Sequence, residues 1–348
     1  NFDRINYLDS DLLIDLHSQG LIDVDLDGDL DIVAVEKDGA NQFHCFINNG
    51  LNDSGELIFD HAFSYARDDE NSSSRTLAIS DFDNDGDQDV YVPRKNGKNW
   101  LFVNQTLAYS GSEVTYNENP EPLFIENSIS YGIADENNIE SGSTGYGAAW
   151  ADYDNDDDFD LYLTNWGKNR LYENNNNTFT NVAENLNLES DSLSNGAGWG
   201  DFNNDGYIDL WSNNFKREDD LFLNPNAPNQ NWDDSHNPFY LSATQDVVPV
   251  DYNNDGWLDM FTPGLLIAHE NGVDDAFGYK YTSLLYKNVL SDSLSFTNNW
   301  LILDVEGAKV DLINNGWTTQ SNHSAIGARV IVHLSDLQIS REIIAGKG

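Results

Sequence analysis

The chain has 348 residues, 60 of them acidic and 17 basic, for a formal net charge of −43 at neutral pH. A negative excess of that size repels nucleic acid and anionic membrane surfaces, and it strains a compact fold unless counter-ions bind. Apolar residues make up 39% and aromatic residues 12% of a chain long enough for two ordinary domains or one large all-β domain, and the single cysteine, Cys45, excludes an intrachain disulfide.

No apolar run approaches the roughly 20 residues that span a bilayer, so no membrane span is expected. Residues 1–20 lack the basic start and apolar middle of a signal peptide. Starting at Asn1 and rich in Asn, Asp, Ser and Gly, the chain reads as a processed or excised piece of a longer secreted precursor.

In chain order, an acidic loop of one design recurs: DVDLDGDLD at 23–31, DFDNDGDQD at 81–89, DYDNDDDFD at 152–160, DFNNDGYID at 201–209 and DYNNDGWLD at 251–259. The pattern is D-x-[DN]-x-D-G-x-x-D, with Asp157 in place of Gly in the third copy. A second anchor follows each loop, in FINN, LFVN, LYEN, LFLN and LYKN, ending at Asn48, Asn104, Asn174, Asn224 and Asn288. Four units keep this spacing closely, and the fifth carries an insertion around 268–281. Short β-branched and aromatic runs flank each loop (DVYV, DLYL, DLWS, DMFT), and small-residue runs such as GAAWA and GAGWG precede it. Each unit therefore reads as strand, acidic hairpin loop, strand, turn, strand and a fourth strand such as NTFTNV. Units of about fifty to seventy residues have the size of four-stranded propeller blades. The expected fold is all-β, a propeller of about six to seven blades over 1–298, followed by a short β-rich segment at 299–348.

The loops suit a hard cation. Oxygen ligands at positions 1, 3 and 5, a main-chain carbonyl at 7 and a carboxylate at 9 can wrap calcium, with Gly at 6 permitting the sharp turn. The ligand residues so assigned are Asp23, Asp25, Asp27, Asp29 and Asp31; Asp81, Asp83, Asp85, Asp87 and Asp89; Asp152, Asp154, Asp156, Asp158 and Asp160; Asp201, Asn203, Asp205, Tyr207 and Asp209; and Asp251, Asn253, Asp255, Trp257 and Asp259. About five calcium ions are expected. An EF-hand is excluded because position 12, which needs a bidentate Glu, holds Ala34, Val92, Leu163, Ser212 and Thr262.

These loops and their trailing strands resemble the FG-GAP/VCBS repeats of integrin α-chain propellers and of many secreted bacterial proteins, with GAAWADYDND and GAGWGDFNNDGYIDLW closest to the pattern. The resemblance covers roughly 15–290. Farther on, NNWLILDVEG at 298–307, NHSAIGARVIV at 322–332 and SREIIAGKG at 340–348 resemble the UnbV/ASPIC segment of proteins similar to cartilage acidic protein, which normally continues past the point where this chain stops. The resemblance implies binding or adhesion.

The seven histidines are scattered without metal-ligand spacing, and no nucleophile motif is present. His44 and Cys45 share a strand with Phe43 and Phe46, which favours packing over catalysis. Arg94, Lys95, Lys98, Lys168, Arg170, Lys216 and Arg217 cluster between second and third strands. With Trp100, Trp166 and Phe215 they offer a patch for an anionic or carbohydrate ligand, the competing reading being that they pair with nearby aspartates of adjoining blades. The expected function is a secreted or surface-exposed, calcium-stabilised module for binding, adhesion or assembly without catalysis. The rival is an extracellular carbohydrate-active enzyme, such as a polysaccharide lyase, with its site in the insertions at 105–150 or 266–281.

Overall fold

In a computed structural model, β-branched and aromatic residues bury alternate faces of short antiparallel strands, and each repeat forms a meander in chain order. The structure describes residues 16–37, 43–66, 72–110, 113–117, 120–135, 144–227, 230–233, 242–244, 246–267, 279–281, 283–289, 329–333 and 338–342. The first repeat contains Leu16–Ile22, Asp31–Glu36, Phe43–Leu51 and Leu57–Tyr65, hydrogen-bonded in that order. The second contains Ala78–Ser80, Asp89–Val92, Trp100–Asn104 and Phe124–Glu126, and the third Thr144–Ala151, Asp160–Lys168, Arg170–Asn174 and Phe179–Asn181. The fourth has Asp191–Gly200, Asp209–Arg217 and Asp220–Phe222, extended by a bridge from Leu223 to Asp233. The fifth has Val248–Val250, Asp259–Thr262 and Leu284–Tyr286. Every acidic loop joins a first strand to a second. Among the described residues there is no helix, and so none long and apolar enough to cross a membrane.

The chain divides into two compact bodies, one built on Asn1–Glu136 and the other on Asn137–Leu303. In the first body, the core lies between the first two repeats: Val33, Val35, Phe43 and Cys45 meet Val90, Val92, Phe102 and Phe124. Phe43 and Phe102 stack at 4.1 Å, with Phe124 edge-on to Phe43 at 5.4 Å. In the second body, Tyr162, Leu171 and Leu188 pack against Ala197, Leu210 and Phe222, and Phe202 and Trp211 pack in turn against Val247 and Met260. These three clusters thus share apolar burial between neighbouring repeats.

The small residues of the first strands have a steric cause. A Cβ on Gly147 would lie 2.5 Å from the carbonyl oxygen of Asn195 in the next repeat, and one on Gly198 would lie 2.9 Å from Val247 of the repeat after it. At Gly147 the neighbouring backbone approaches too closely for a side chain, and at Gly198 the side chains of Val247 and Pro249 fill the space. At the end of the strands away from the acidic loops, Trp166–Lys168 pairs with Asp191–Leu193, and Phe215 and Arg217 pair with Ala243 and Ser242. Main-chain ladders therefore join successive repeats in this body.

The expected boundary at 298/299, the NNWLILDVEG segment and residues 268–278 of the insertion lie outside the described residues. Within the remaining C-terminal segments, Arg329–His333 and Gln338–Glu342 form a two-stranded sheet.

Candidate metal centres

The five loops fold by one hydrogen-bond scheme. The position-6 N–H donates to a carboxylate oxygen at position 1: Gly28 to Asp23, Gly86 to Asp81, Asp157 to Asp152, Gly206 to Asp201 and Gly256 to Asp251, at 2.8–3.4 Å. The position-7 N–H donates to position 5: Asp29 to Asp27, Asp87 to Asp85, Asp158 to Asp156, Tyr207 to Asp205 and Trp257 to Asp255. In the first two loops this wrapping brings the carboxylates of positions 1, 3 and 5 together, and in the third those of positions 1, 3 and 9.

Two backbone positions permit the wrap. Position 6 has φ of 94°, 104°, 77°, 95° and 83° along the chain, and position 4 has φ of 59°, 60°, 61°, 56° and 58°. Position 4 is Asn84, Asn155, Asn204 or Asn254 in four loops, a residue type that tolerates the left-handed region, and Leu26 in the first. The sequence reading treated position 4 as unconstrained, although the recurrence of Asn was visible.

Position 9 is buried in every loop and acts as a tether. Asp31, Asp89, Asp160, Asp209 and Asp259 each accept from the main-chain N–H of the trailing Asn48, Asn104, Asn174, Asn224 and Asn288, at 2.7–2.9 Å. In three loops the other oxygen accepts from position 2, at Val24, Tyr153 and Phe202. The trailing Asn side chains donate to position 8 of their own loop at Leu30, Phe159, Ile208 and Leu258. Asn104, Asn224 and Asn288 also reach back to position 2 of the preceding loop, at Val24, Tyr153 and Phe202. The second anchor read from the sequence is therefore a latch between repeats.

The electrostatics run against the metal-free protein. Burial pushes the Asp31 carboxyl up to about 8, and burial followed by the Asp83 charge pushes Asp85 up to about 7. Asp154 rises to about 7 through burial and then Asp156, and Asp209 to about 7 through burial. Asp87, Asp89 and Asp160 are held well above the ordinary carboxylate range, mainly by burial and then by neighbouring aspartates. A bound cation would reverse these shifts by supplying opposite charge.

Three clusters bring carboxylate oxygens within 4.8 Å of one another: Asp23, Asp25 and Asp27; Asp81, Asp83 and Asp85; and Asp152, Asp154 and Asp160. The fourth and fifth loops place Asn203 and Asn253 at position 3 and so offer one carboxylate fewer. Buried oxygens of Asp87 (Oδ1), Asp89 (Oδ2) and Asp259 (Oδ2) have no hydrogen-bond partner. Hard oxygen donors, clustered and partly unsatisfied, fit a divalent cation of calcium's type.

The FG-GAP-like repeat family matches residues 23–92, 152–212 and 201–262, each segment opening on position 1 of a loop. The chain belongs to the FG-GAP-like repeat family. Its four-stranded meanders with first-to-second-strand acidic loops are the blades of an FG-GAP β-propeller. A solved structure described as the Dos1 propeller is similar over 71% of this chain and 52% of its own, at 10% identity and a TM-score of 0.39, so this chain spans about half of it. No curated protein matches.

The other sequence candidates separate clearly. Arg94 and Trp100 are buried, with the guanidinium 3.6 Å from the ring centroid and donating to the Lys98 carbonyl and the Ser72 hydroxyl. Lys168 pairs with Glu189 at 2.6 Å, and Arg170 reaches the same carboxylate at 3.6 Å. Glu189 holds Lys168 and Arg170, a glutamate where the competing reading expected aspartates of adjoining blades, and Arg94 is buried against Trp100. Trp166 stacks on Tyr146 at 4.5 Å and lies 6.1 Å from Phe215.

His44 and Cys45 are buried. The fold also brings His61 within 3.0 Å of His44, and burial, then His61, lowers His44 to about 4. No local spacing marks that pair, because the register of the two strands creates it. A further recurrence escaped the sequence reading: buried Asn99, Asn169 and Asp219 accept from Arg94, Asn165 and Asn214 N–H and close the second-to-third-strand turns.

Proposed function

We propose that the chain is a calcium-stabilised, secreted or surface-exposed β-propeller that serves as a binding, adhesion or assembly module without catalysis. The observation carrying this reading is the common wrapping of five loops around like charges, several of them buried. Each loop's residues at positions 1, 3, 5 and 9, with the main-chain carbonyl at 7, would hold one ion, about five in all. Calcium, when bound, supplies the positive charge that lets these carboxylates share a loop. Asn203 and Asn253 lower the charge of two sites, as in weak extracellular modules with dissociation constants of about 10⁻⁴–10⁻³ M. Such sites fill in the millimolar calcium outside cells.

A ring of six or seven blades is in keeping with five repeats in order and with cores shared between neighbours. The C-terminal strand pair is consistent with a UnbV/ASPIC-type segment similar to that of the cartilage acidic protein family. The test is twofold. Elemental analysis after dialysis against millimolar calcium should find about five ions per chain, and fewer than three would overturn the metal assignment. Incubation with matrix proteins and a polysaccharide panel should give retention without new reducing or unsaturated ends. Cleavage would establish the enzyme instead.

A further inference from the structure

Among the described residues, the second loop carries a cover that the third loop lacks. In the third repeat, a tight Asn175–Thr178 turn follows the trailing Asn174, and Asp156 and Asp158 stay exposed or half-buried. In the second repeat, a hairpin of Leu107–Ser110 and Glu113–Tyr116 follows Asn104. Its root is pinned over the loop. Thr106 Oγ1 donates to the Val24 carbonyl at 2.8 Å, Asn117 N–H to the Thr106 carbonyl at 2.8 Å, and Leu107 N–H to Asp87 Oδ2 at 2.5 Å. A Cβ at Gly86 would sit 3.2 Å from Leu107 Cδ1, and Tyr131 lies edge-on to Phe82 of the loop at 5.1 Å. Asp85 and Asp87 are consequently 6% and 1% exposed, whereas Asp27, Asp29 and Asp205 are exposed; Asp89 is buried as position 9 is in every loop. Two oxygens enclosed here, Asp87 Oδ1 and Asp89 Oδ2, lack a hydrogen-bond partner, and satisfied backbone donors occupy the other oxygen of each carboxylate.

We infer that the second loop is an occluded calcium site, in which the Asp87 side chain contributes an oxygen and the hairpin root with Tyr131 slows exchange of the ion. The inference rests on the calcium reading above. Asp81 and Asp83 stay half-buried, so Leu107 and Tyr131 cover the ion on the Asp85–Asp87 side, and its departure leaves Asp87 and Asp89 as buried charges without a counter-charge. Departure is therefore slowed until the hairpin root lifts. The same linkage makes the ion a fastener for the hairpin, since Leu107 is bonded to a residue that holds it.

The calcium-loaded full chain is mixed with excess fluorescent chelator in a stopped-flow instrument. One ion per chain should leave at least tenfold more slowly than the rest. Asp87→Asn should abolish that slow phase and Tyr131→Ala should speed it severalfold, while Asp29→Asn, at the same position of the first loop, should leave it unchanged. In the unsubstituted chain, calcium should slow hydrogen exchange at the Leu107 amide, a readout independent of whether any variant folds. Release of all ions in one phase, a slow phase indifferent to both Asp87→Asn and Tyr131→Ala, or a Leu107 amide indifferent to calcium would overturn the inference while leaving the calcium reading intact. A chain that retains no calcium at all would overturn both.

Discussion

The side-chain amide of Asn224 donates to the carbonyl oxygen of Tyr153, 71 residues earlier in the chain, at 3.0 Å. The same nitrogen reaches the Ile208 carbonyl at 3.2 Å, so one amide closes its own acidic loop and holds the preceding one. Asn104 and Asn288 make the corresponding reach to Val24 and Phe202. Three blade junctions thus share one polar latch, placed beside the carboxylates that a cation would neutralise.

Asn224→Ala leaves two carbonyls in a buried setting without their donor, which costs about 1–3 kcal/mol. Asn224→Asp should be at least as damaging, since it sets an acceptor against acceptors. Urea unfolding of both variants in saturating calcium tests this. A loss below about 0.5 kcal/mol would mean that water replaces the latch.

Leu26 holds φ at 59° and Asp157 at 77°, conformations that cost a residue with a Cβ up to about 1–2 kcal/mol. Leu26→Asn and Asp157→Gly should each stabilise the protein by about 0.5–1 kcal/mol, because each installs the residue that the other loops carry. Asn204→Leu should move the other way. Thermal unfolding at fixed calcium provides the comparison, and a destabilised Leu26→Asn would show that Leu26 packs more strongly than its backbone is strained.

The metal-free protein should lose stability as pH rises. Asp31, Asp85, Asp154 and Asp209 are pushed up to about 8, 7, 7 and 7 in the folded state, above the ordinary carboxylate value of 3.8. The folded state therefore binds their protons more tightly than the unfolded state. The contribution is fully present below about pH 4 and disappears as pH climbs through about 7–8. In chelator, Tm should fall between about pH 5 and about pH 8, and saturating calcium should remove most of that fall. A chelator Tm that rises over this interval contradicts the burial of Asp31, Asp85 and Asp209.

Asp154→Asn converts the third loop to the position-3 residue of the fourth and fifth loops. In chelator at pH 8 the variant should be more stable than the parent, since a charge disfavoured by desolvation and then by Asp156 and Asp152 has been removed. In calcium it should bind one ion more weakly and lose part of its thermal stabilisation, which at a hundredfold excess over the dissociation constant is about 2.7 kcal/mol per site. Paired melts with and without calcium read both effects. The crossover is the diagnostic result, and a variant less stable in both conditions would point to a purely structural role for Asp154.

The loop motif, its five copies, the strands on either side and the trailing Asn were legible in the sequence because each rests on local chemistry. Gly at position 6 meets a positive φ, alternating apolar residues meet a half-buried strand, and small residues in GAAWA and GAGWG meet a crowded neighbour. What those anchors connect was decided only by the tertiary structure. Asn224 and Tyr153, like His44 and His61, belong to different strands, and their meeting depends on register and blade packing that no local spacing encodes. Arg94 and Trp100 read as surface candidates in a chain with few cations, and packing buried both, with the guanidinium satisfied by the ring, a carbonyl and a hydroxyl. The five loops are near-copies in sequence, yet Asp87 is enclosed and Asp29 exposed, because the difference comes from a hairpin folded back from residues 107–116. Local residue types determine the shape of a loop, whereas its desolvation, and with it the strength of its charges, depends on what the rest of the chain lays over it.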